Sequence, residues 1–196
     1  MSPKIILLNG PPHCGKDTIG NQLWKLTNQS SVVKFATPLK TVATHLYCNG
    51  DRDLFDKMDA PEQKGKPDEL FFGKSCRQVQ IDISESYAKP MHGPRVFGKI
   101  LASTIKQRMA TEQTRTFFVT DSGFLPEAEE LVDQFGRDNV ILIRIHRDGK
   151  TFDGDSRSYI NLDLIGVTSL DVNNVEGEAE RTVTYINNIL KPFLQE

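Results

Sequence analysis

The sequence predicts an α/β fold in which a parallel sheet of about five strands is flanked by helices. Three observations support this prediction. Short runs of apolar residues, typical of strands buried on both faces, alternate with stretches of helical periodicity. Turn-forming or charged residues follow most of these runs. The 196 residues suit a single domain without internal repeats, and strands that alternate with helices form parallel sheets through right-handed crossovers.

The first strand, loop and helix carry the most specific motif. Residues 5–8 are continuously apolar, Gly10 to Lys16 fits the pattern G-x-x-x-x-G-K, and residues 17–26 have a helical pattern with Ile19, Leu23 and Leu26 on one face. This is the context of a phosphate-binding loop, in which backbone N–H groups and a helix N-terminus hold an anion. A plain glycine turn is the alternative. We predict that ATP binds through Gly10, His13, Cys14, Gly15, Lys16, Asp17 and Thr18.

Asp17 departs from the strict motif, in which a Ser or Thr that ligates Mg²⁺ follows the Gly-Lys pair. A carboxylate is also a hard oxygen ligand, so Asp17 is predicted to hold Mg²⁺ directly or through its water shell. The hydroxyl of Thr18 is then left to donate to the α-phosphate.

The second strand is predicted at residues 32–35, and a helix follows it. Thr37 suits the N-cap and Pro38 the first helical position. Lys40 lies in the first turn, where the helix dipole disfavours a cation. A bound anion would remove that conflict, and a solvated surface lysine is the alternative. The apolar face of this helix is predicted to contain Leu39, Val42, Ala43 and Leu46.

A polar stretch over residues 49–74 is predicted to be a surface loop or insertion. Ser75 suits the N-cap of the next helix. Arg77 lies in its first turn, and its planar guanidinium suits either a phosphate or a surface ion pair. Glu85 lies further along and is either a substrate ligand or an ordinary surface glutamate.

A further helix is predicted over residues 95–111, with Arg95 at its start. Residues 116–121 then form a buried strand that ends in Asp121. An aspartate at the end of a strand next to the phosphate-binding loop commonly assists Mg²⁺. Asp121 is therefore predicted to bind the metal or substrate, and its alternative role is to cap the helix that begins near Leu125.

The strand predicted at residues 139–146 ends in basic side chains. Arg144 and Arg147 follow an otherwise apolar run and need anions, either internal or bound. The polar stretch after them suits a mobile lid at about 147–160 that brings Arg157 onto the transferring phosphate. These three arginines, together with Lys16, are the predicted catalytic cations.

The last strand is predicted at residues 167–172. Asn173 follows it and either lines the base of ATP or is an ordinary turn residue. The closing helix is predicted over residues 176–194 and turns Ala179, Val183, Ile186 and Leu190 inward.

These side chains converge at one edge, because ligands of parallel sheets bind at the carboxyl ends of the strands. That convergence predicts an enzyme that transfers a phosphoryl group from a nucleotide. The surplus of basic side chains beyond Lys16 suggests a second phosphorylated substrate.

Composition excludes several other classes. A net charge of −2 gives no basic footprint for nucleic acid, and no apolar run approaches the length of a membrane span. The N-terminus lacks the pattern of a signal peptide, and three scattered cysteines support neither zinc nor disulfides. A cytoplasmic protein that binds small molecules is expected, and a homodimer is left open.

Several segments resemble the deoxynucleoside monophosphate kinases of tailed bacteriophages. The sequence Gly15-Lys16-Asp17-Thr18 after an apolar strand is similar to their phosphate-binding loop. The segments at 35–40, at 73–77 with Glu85 downstream, and at 119–124 are similar to shorter motifs of that family. Gly123 stands where the family pattern has an arginine, so one substrate contact is either missing or supplied from elsewhere.

The resemblance implies a P-loop NTPase fold of the nucleoside monophosphate kinase type that converts dNMP to dNDP with ATP and Mg²⁺, in the host cytoplasm if phage-encoded. By position, Lys16, Asp17 and Thr18 would hold ATP and metal. The implied acceptor-binding residues are Lys40, Arg77 and Arg95, and the implied lid arginines are Arg144, Arg147 and Arg157.

Other readings stay open at this stage. One is a kinase of another small phosphorylated metabolite, such as phosphomevalonate, whose kinase also resembles this chain in the Asp after Gly-Lys, or dephospho-coenzyme A. Another is an ATP-binding module that is not a kinase. For the chain as a whole we predict one domain with a substrate-binding helical insertion at about 49–112.

Overall fold

A computed structural model describes residues 2–194 and contains, over that range, one five-stranded parallel sheet. The strands lie in the order β2-β3-β1-β4-β5, so the first strand is central. Their bounds are β1 Lys4–Asn9, β2 Ser30–Val33, β3 Thr116–Ser122, β4 Val140–His146 and β5 Thr168–Asn173. The parallel pairing of all four neighbouring strand pairs confirms the predicted fold class.

Eight α-helices connect or flank these strands within residues 2–194. Their bounds are α1 Lys16–Leu26, α2 Thr37–Tyr47, α3 Arg52–Met58, α4 Cys76–Asp82, α5 Lys89–His92, α6 Val96–Thr111, α7 Leu125–Phe135 and α8 Ala179–Leu194. A π-helical segment, Ile83–Ala88, joins α4 to α5, and short 3₁₀ turns lie at Glu69–Phe71, Arg137–Asn139 and Asp163–Ile165. None of the helices described is long and apolar enough to cross a membrane.

The described chain divides into two compact units, residues 36–97 and the remainder. The larger unit contains the sheet, and its central strands are buried because apolar residues line both faces. On one face, side chains of α1 and α8 pack against β1 and β4; the fully buried members of this cluster include Ile6, Leu8, Ile19, Leu23, Ile143, Ile186 and Leu190. The inward face predicted for α8 is therefore confirmed at Val183, Ile186 and Leu190.

The smaller unit has its own core, so residues 49–74, predicted as a surface loop or insertion, do not form a plain loop. Phe55 on α3 and Phe71 in the 3₁₀ turn are fully buried. They pack with Ala43, Cys48, Cys76 and Val79. The stretch is polar overall because Phe55 and Phe71 are its only fully buried aromatic residues, whereas Phe72 and most of the charged side chains are exposed. The proposed limits of the insertion and of the lid stay predictions.

Local capping is confirmed at one helix and wrong at another. The Ser75 hydroxyl accepts a hydrogen bond from Gln78 N at 3.1 Å and caps α4 as predicted. Helix α2 instead begins at Thr37, and Ala36 occupies the N-cap position without a side-chain cap. The predicted apolar faces also differ at their ends, because Leu26, Val42 and Leu46 are exposed while Thr44 is buried.

Candidate phosphate-binding site

The loop between β1 and α1 has the backbone shape of an anion cradle. Gly15 is the N-cap of α1 with φ 98°, and His13 also has a positive φ of 62°. Ile19 is the first residue of α1 whose N–H bonds back, to Gly15 O at 2.9 Å. The preceding N–H groups of the first turn have no partner within the helix, so they are available to phosphate oxygens.

A buried asparagine that follows the last strand holds this loop in place. Asn174, just after β5, donates from Nδ2 to Cys14 O at 2.8 Å. Its Oδ1 accepts a hydrogen bond from the Thr182 hydroxyl on α8 at 3.1 Å. A Cβ at Gly15 would lie 2.4 Å from Asn174 Nδ2, so glycine is required both by the backbone angle and by this contact.

Gly10 and Cys14 pack against each other at the start of the loop. Cys14 is fully buried in the core of the larger unit. A Cβ at Gly10 would lie 2.6 Å from Cys14 Sγ and 2.6 Å from Ile145 O. The sulfur therefore serves as a small filler, and the first glycine of the motif lets the chain pass close to the end of β4.

Lys16 is buried in the loop and lacks a carboxylate partner. Only 6% of the residue is exposed, and its ammonium donates to Pro11 O at 3.0 Å. Burial lowers the pKa of Lys16 and outweighs the opposing effect of Cys14. The nearby guanidinium of Arg157 lowers this pKa further, against smaller opposing effects of Asp17 and Asp121. Within residues 2–194 this ammonium forms that one hydrogen bond and no ion pair. A buried cation in this condition fits a bound anion.

Asp17 already has two partners in the structure. Its Oδ1 accepts hydrogen bonds from Lys34 Nζ at 2.6 Å and from the buried Thr120 hydroxyl at 2.8 Å. Burial raises the pKa of Asp17, but the hydrogen bonds from Lys34 and Thr120 outweigh it, and the net pKa lies below its ordinary value. The carboxylate is thus held ionised, as a metal ligand must be.

Asp121 lies at the end of β3, as predicted, and this strand is two strands away from β4 in the sheet. Its Oδ1 accepts a hydrogen bond from Phe35 N at 2.9 Å, which fixes the chain after β2. The described residues contain no group of three or more His, Cys, Asp or Glu side chains suited to a metal. The carboxylates of Asp17 and Asp121 are hard oxygen ligands of the type that Mg²⁺ takes in ones or twos, with water completing its shell, so a magnesium site at these two residues stays a prediction.

Arg157 reaches the same region from the segment that follows β4. Its guanidinium donates to both carboxylate oxygens of Asp155, from Nε at 2.9 Å and from a terminal nitrogen at 2.7 Å. The hydrogen bonds that Arg157 donates to Asp155 raise the pKa of Arg157 against the cost of burial, and the charges of Asp155, Asp121 and Asp17 raise it further. The guanidinium is therefore close enough to the phosphate-binding loop for their charges to interact.

Asn9 fastens this segment to the sheet. Its Nδ2 donates to Ser122 O at 2.9 Å and to Ser158 O at 3.0 Å, and its Oδ1 accepts from Ile160 N at 2.9 Å. Asn9 is fully buried at the end of β1, and each polar atom of its side chain is satisfied. Residues 158–160 are consequently anchored in the larger unit.

Two predicted catalytic arginines lie elsewhere on this edge. Arg144 donates to both oxygens of Asp171 on β5, at 3.1 and 2.8 Å, so an internal carboxylate accounts for its charge. Arg147 donates to His13 O at 3.2 Å and pairs with Glu176 at 2.7 Å. Arg147 therefore contacts the loop, whereas Arg144 belongs to a separate cluster.

The cluster around Asp171 gives a prediction about stability and pH. Hydrogen bonds from Arg144, reinforced by His146 at 2.6 Å, lower the pKa of Asp171 to about 2. Because the folded pKa lies below the unfolded one, this stabilisation is present above about pH 4 and is lost as the pH falls through about 2. Since the carboxylate is about half exposed, we expect Asp171→Asn to reduce the free energy of unfolding by only about 1 kcal/mol.

The measurement is urea unfolding of both proteins at pH 7 and at descending pH. The difference between wild type and Asp171→Asn should shrink toward pH 2. Asp148→Asn, an exposed aspartate of the same unit, serves as the matched control. A difference that grows on acidification would contradict the assignment.

The remaining predicted site residues lie in the smaller unit or at the surface. Lys40 pairs with Asp59 on the C-terminal side of α3. Glu85 accepts from Lys89 at 2.7 Å and from Ser84 at 2.8 Å. Arg77 N donates to Lys64 O at 2.9 Å, and Arg95 immediately precedes α6. Asn173 is exposed at the end of β5.

Sequence reasoning missed five residues that shape the site. Three of them form hydrogen bonds with charged side chains of the site, and two asparagines form hydrogen bonds that fix the backbone. The full set is Asn9, Lys34, Thr120, Asp155 and Asn174. Position was the available signal for four of them, because Asn9, Lys34, Thr120 and Asn174 lie at or just after the carboxyl end of a strand. Nothing in the sequence singled out Asp155 from the other acids of its segment.

Comparison with known proteins identifies the fold but not a family. No family model matches the chain, and no curated protein matches it. A presumed kinase from Chloroflexus aurantiacus has 15% identity and a TM-score of 0.52 over 97% of both chains. A gluconokinase from Sinorhizobium meliloti has 10% identity and a TM-score of 0.49, covering 98% of this chain and 94% of its own.

A sugar kinase from Janibacter has 12% identity and a TM-score of 0.47, over 98% of this chain and 95% of that one. The likeness to the Chloroflexus protein concerns the fold, since identities this low do not carry function. Over residues 2–194, then, the chain is a five-stranded parallel α/β protein that shares the fold of the Chloroflexus protein, with a glycine loop at its β1–α1 turn.

Proposed function

We propose that this protein is a phosphotransferase that uses ATP and Mg²⁺ to phosphorylate a small phosphorylated metabolite, and that a deoxynucleoside monophosphate is the acceptor. The observation that carries the proposal is the ammonium of Lys16, buried inside a glycine loop with one backbone carbonyl as its partner. Such a group is stable when a polyphosphate replaces the water that it has lost.

Residues of the loop would bind the nucleotide. The N–H groups of the first turn of α1 and the ammonium of Lys16 meet the phosphates, and Thr18 offers its hydroxyl. Asp17 and Asp121 would hold Mg²⁺, which supplies further positive charge to the phosphate oxygens when bound. Asn173 lies at the end of β5, where we place the adenine base of ATP, and Arg147, just after β4, offers a further cation to the phosphates.

The transfer step requires alignment of the two reactants and positive charge more than it requires a general base. An oxygen of the acceptor phosphate attacks the γ-phosphorus in line, and that oxygen is already anionic. Lys16 and Arg157 then stabilise the charge that spreads over the transferring group. Buried asparagines fix both the phosphate-binding loop and the segment that carries Arg157, so Lys16 and Arg157 need little rearrangement for the reaction.

The acceptor is the finer part of the proposal. The resemblance to phage kinases assigns its phosphate to Lys40, Arg77 and Arg95, with Glu85 nearby. Two observations favour a kinase of another metabolite about as well. Position 123 is a glycine where the phage kinases have an arginine, and Lys40 is already paired with Asp59. An ATP-binding module without acceptor is the third candidate.

A panel of acceptors separates the three candidates. The protein is mixed with ATP, Mg²⁺ and each dNMP, phosphomevalonate, dephospho-coenzyme A or gluconate, and ADP is measured. We expect ADP to form only with a dNMP. Formation with another acceptor alone would establish the second candidate, and turnover that ignores every acceptor would establish the third.

Arg77→Ala tests the acceptor assignment. We expect the KM for the acceptor to rise about tenfold while kcat and the KM for ATP change little, because a ground-state phosphate contact is lost. Arg52→Ala is the matched control, since Arg52 is an exposed arginine of the same unit that pairs with Asp56. An unchanged acceptor KM would remove Arg77 from the site.

A further inference from the structure

Arg157 is held in one place by the segment that carries it. Asp155 accepts three hydrogen bonds from Arg157, two from the guanidinium and one from Arg157 N at 3.0 Å. Only 3% of the Asp155 side chain is exposed, compared with 22% of the Arg157 side chain. A bidentate pair with so little solvent access fixes the plane and the direction of the guanidinium.

Gly123 provides the room in which this arginine lies. A Cβ at position 123 would approach Cβ, Cγ and Cδ of Arg157 to 2.7, 2.6 and 2.6 Å. These are the root atoms of the side chain rather than its flexible end, so they cannot move without moving the whole arginine. Ser158 N also donates to Gly123 O at 3.2 Å, which keeps the two segments together.

The position of this arginine matters because of its neighbours. Asn9, directly before the loop, donates to Ser158 O at 3.0 Å, so the segment that carries Arg157 lies against the start of the phosphate-binding loop. The positive charge of Arg157 also lowers the pKa of Lys16, and the charges of Asp121 and Asp17 raise the pKa of Arg157. The guanidinium therefore belongs to the same electrostatic group as the phosphate-binding loop. In a site of this kind, a cation that is already in place before the reaction costs no reorganisation.

We propose that Gly123 and Asp155 are positioning residues that hold the Arg157 guanidinium beside the phosphate-binding loop before nucleotide binds. The absence of a side chain at position 123 admits an arginine from the segment after β4, and Asp155 aims it. The catalytic part of this inference rests on the proposed function; the positioning part does not.

Arginine Nε–H resonances of ¹⁵N-labelled protein test the positioning without any ligand. In the wild type we expect a slowly exchanging Nε–H signal for Arg157, assigned by its loss in Arg157→Lys. Gly123→Ala and Asp155→Asn should each abolish or shift this signal. Asp153→Asn, an exposed aspartate of the same segment, should leave it unchanged. A signal that survives both substitutions would overturn the inference, whatever the activity is.

Nucleotide binding and turnover test the catalytic part. The wild type should bind AMP-PNP more tightly than ADP, and Gly123→Ala should lose about tenfold of that preference with unchanged ADP affinity. The value of kcat should fall about 100-fold. In an Arg157→Ala background, Gly123→Ala should cause no further loss, because both changes remove one interaction.

Equal losses in both backgrounds would mean that Gly123 is merely structural and would refute the inference. If the wild type binds neither nucleotide, the proposed function fails, and the resonance experiment still decides the positioning. The two failures are therefore distinguishable.

Discussion

Replacement of Lys16 by alanine is expected to abolish phosphoryl transfer and to leave the protein as stable as before. The ammonium is buried in the loop, and its loss removes a cation from the transferring phosphate. Losing one such donor typically costs about 100- to 1,000-fold in kcat. The lost hydrogen bond goes to Pro11 O, and removing the desolvated charge offsets that loss.

The measurement pairs kcat with the melting temperature. Lys25→Ala is the matched control, since Lys25 is an exposed lysine in the last turn of the same helix. We expect the control to keep both activity and melting temperature. Near-normal turnover of Lys16→Ala would remove the loop from the mechanism. A large fall in melting temperature would show that the ammonium is structural instead.

Replacement of Gly15 by alanine is expected to weaken ATP binding on the order of 100-fold. An L-residue at φ 98° costs about 1–2 kcal/mol. The new Cβ would also displace Asn174 Nδ2 and so break its hydrogen bond to Cys14 O, which is worth about 1 kcal/mol. Together these costs correspond to about two powers of ten in affinity.

Calorimetric titration with ATP and ADP measures the effect. Gly65→Ala is the control, because an added Cβ there meets no atom within 4 Å. The double variant Gly15→Ala/Asn174→Ala separates the two causes: it removes the clash and retains the backbone strain. We expect it to bind no better than Gly15→Ala, since the loop has then lost its anchor. Full affinity in Gly15→Ala would contradict the described loop geometry.

The sheet was predictable because buried parallel strands are short continuous apolar runs. The apolar runs at residues 5–8 and 140–146 each predict a strand without knowledge of the strand that pairs with it. The glycine loop between β1 and α1 has a fixed spacing of its motif residues. Short elements at the edge were less accurate. β2 was predicted at residues 32–35 but spans Ser30–Val33, and Lys34 directly after it pairs with Asp17.

The smaller unit could not be predicted from composition. Its core depends on two phenylalanines in a stretch whose average is polar, and periodicity over so few residues is weak. The charge pairs were equally inaccessible. Lys40 with Asp59, Asp155 with Arg157 and Lys34 with Asp17 depend on which side chains the fold brings together, whereas a sequence shows only how many charges each segment carries.

Asn9 has a consequence for the ageing of this protein. It precedes Gly10, and asparagine followed by glycine is the pair that deamidates most readily in a flexible chain. In the native state three hydrogen bonds fix the side-chain amide. After unfolding, that restraint ends. An aspartate there could no longer donate to Ser122 O and Ser158 O, so deamidation of Asn9 in the unfolded chain should hinder the return to the native fold.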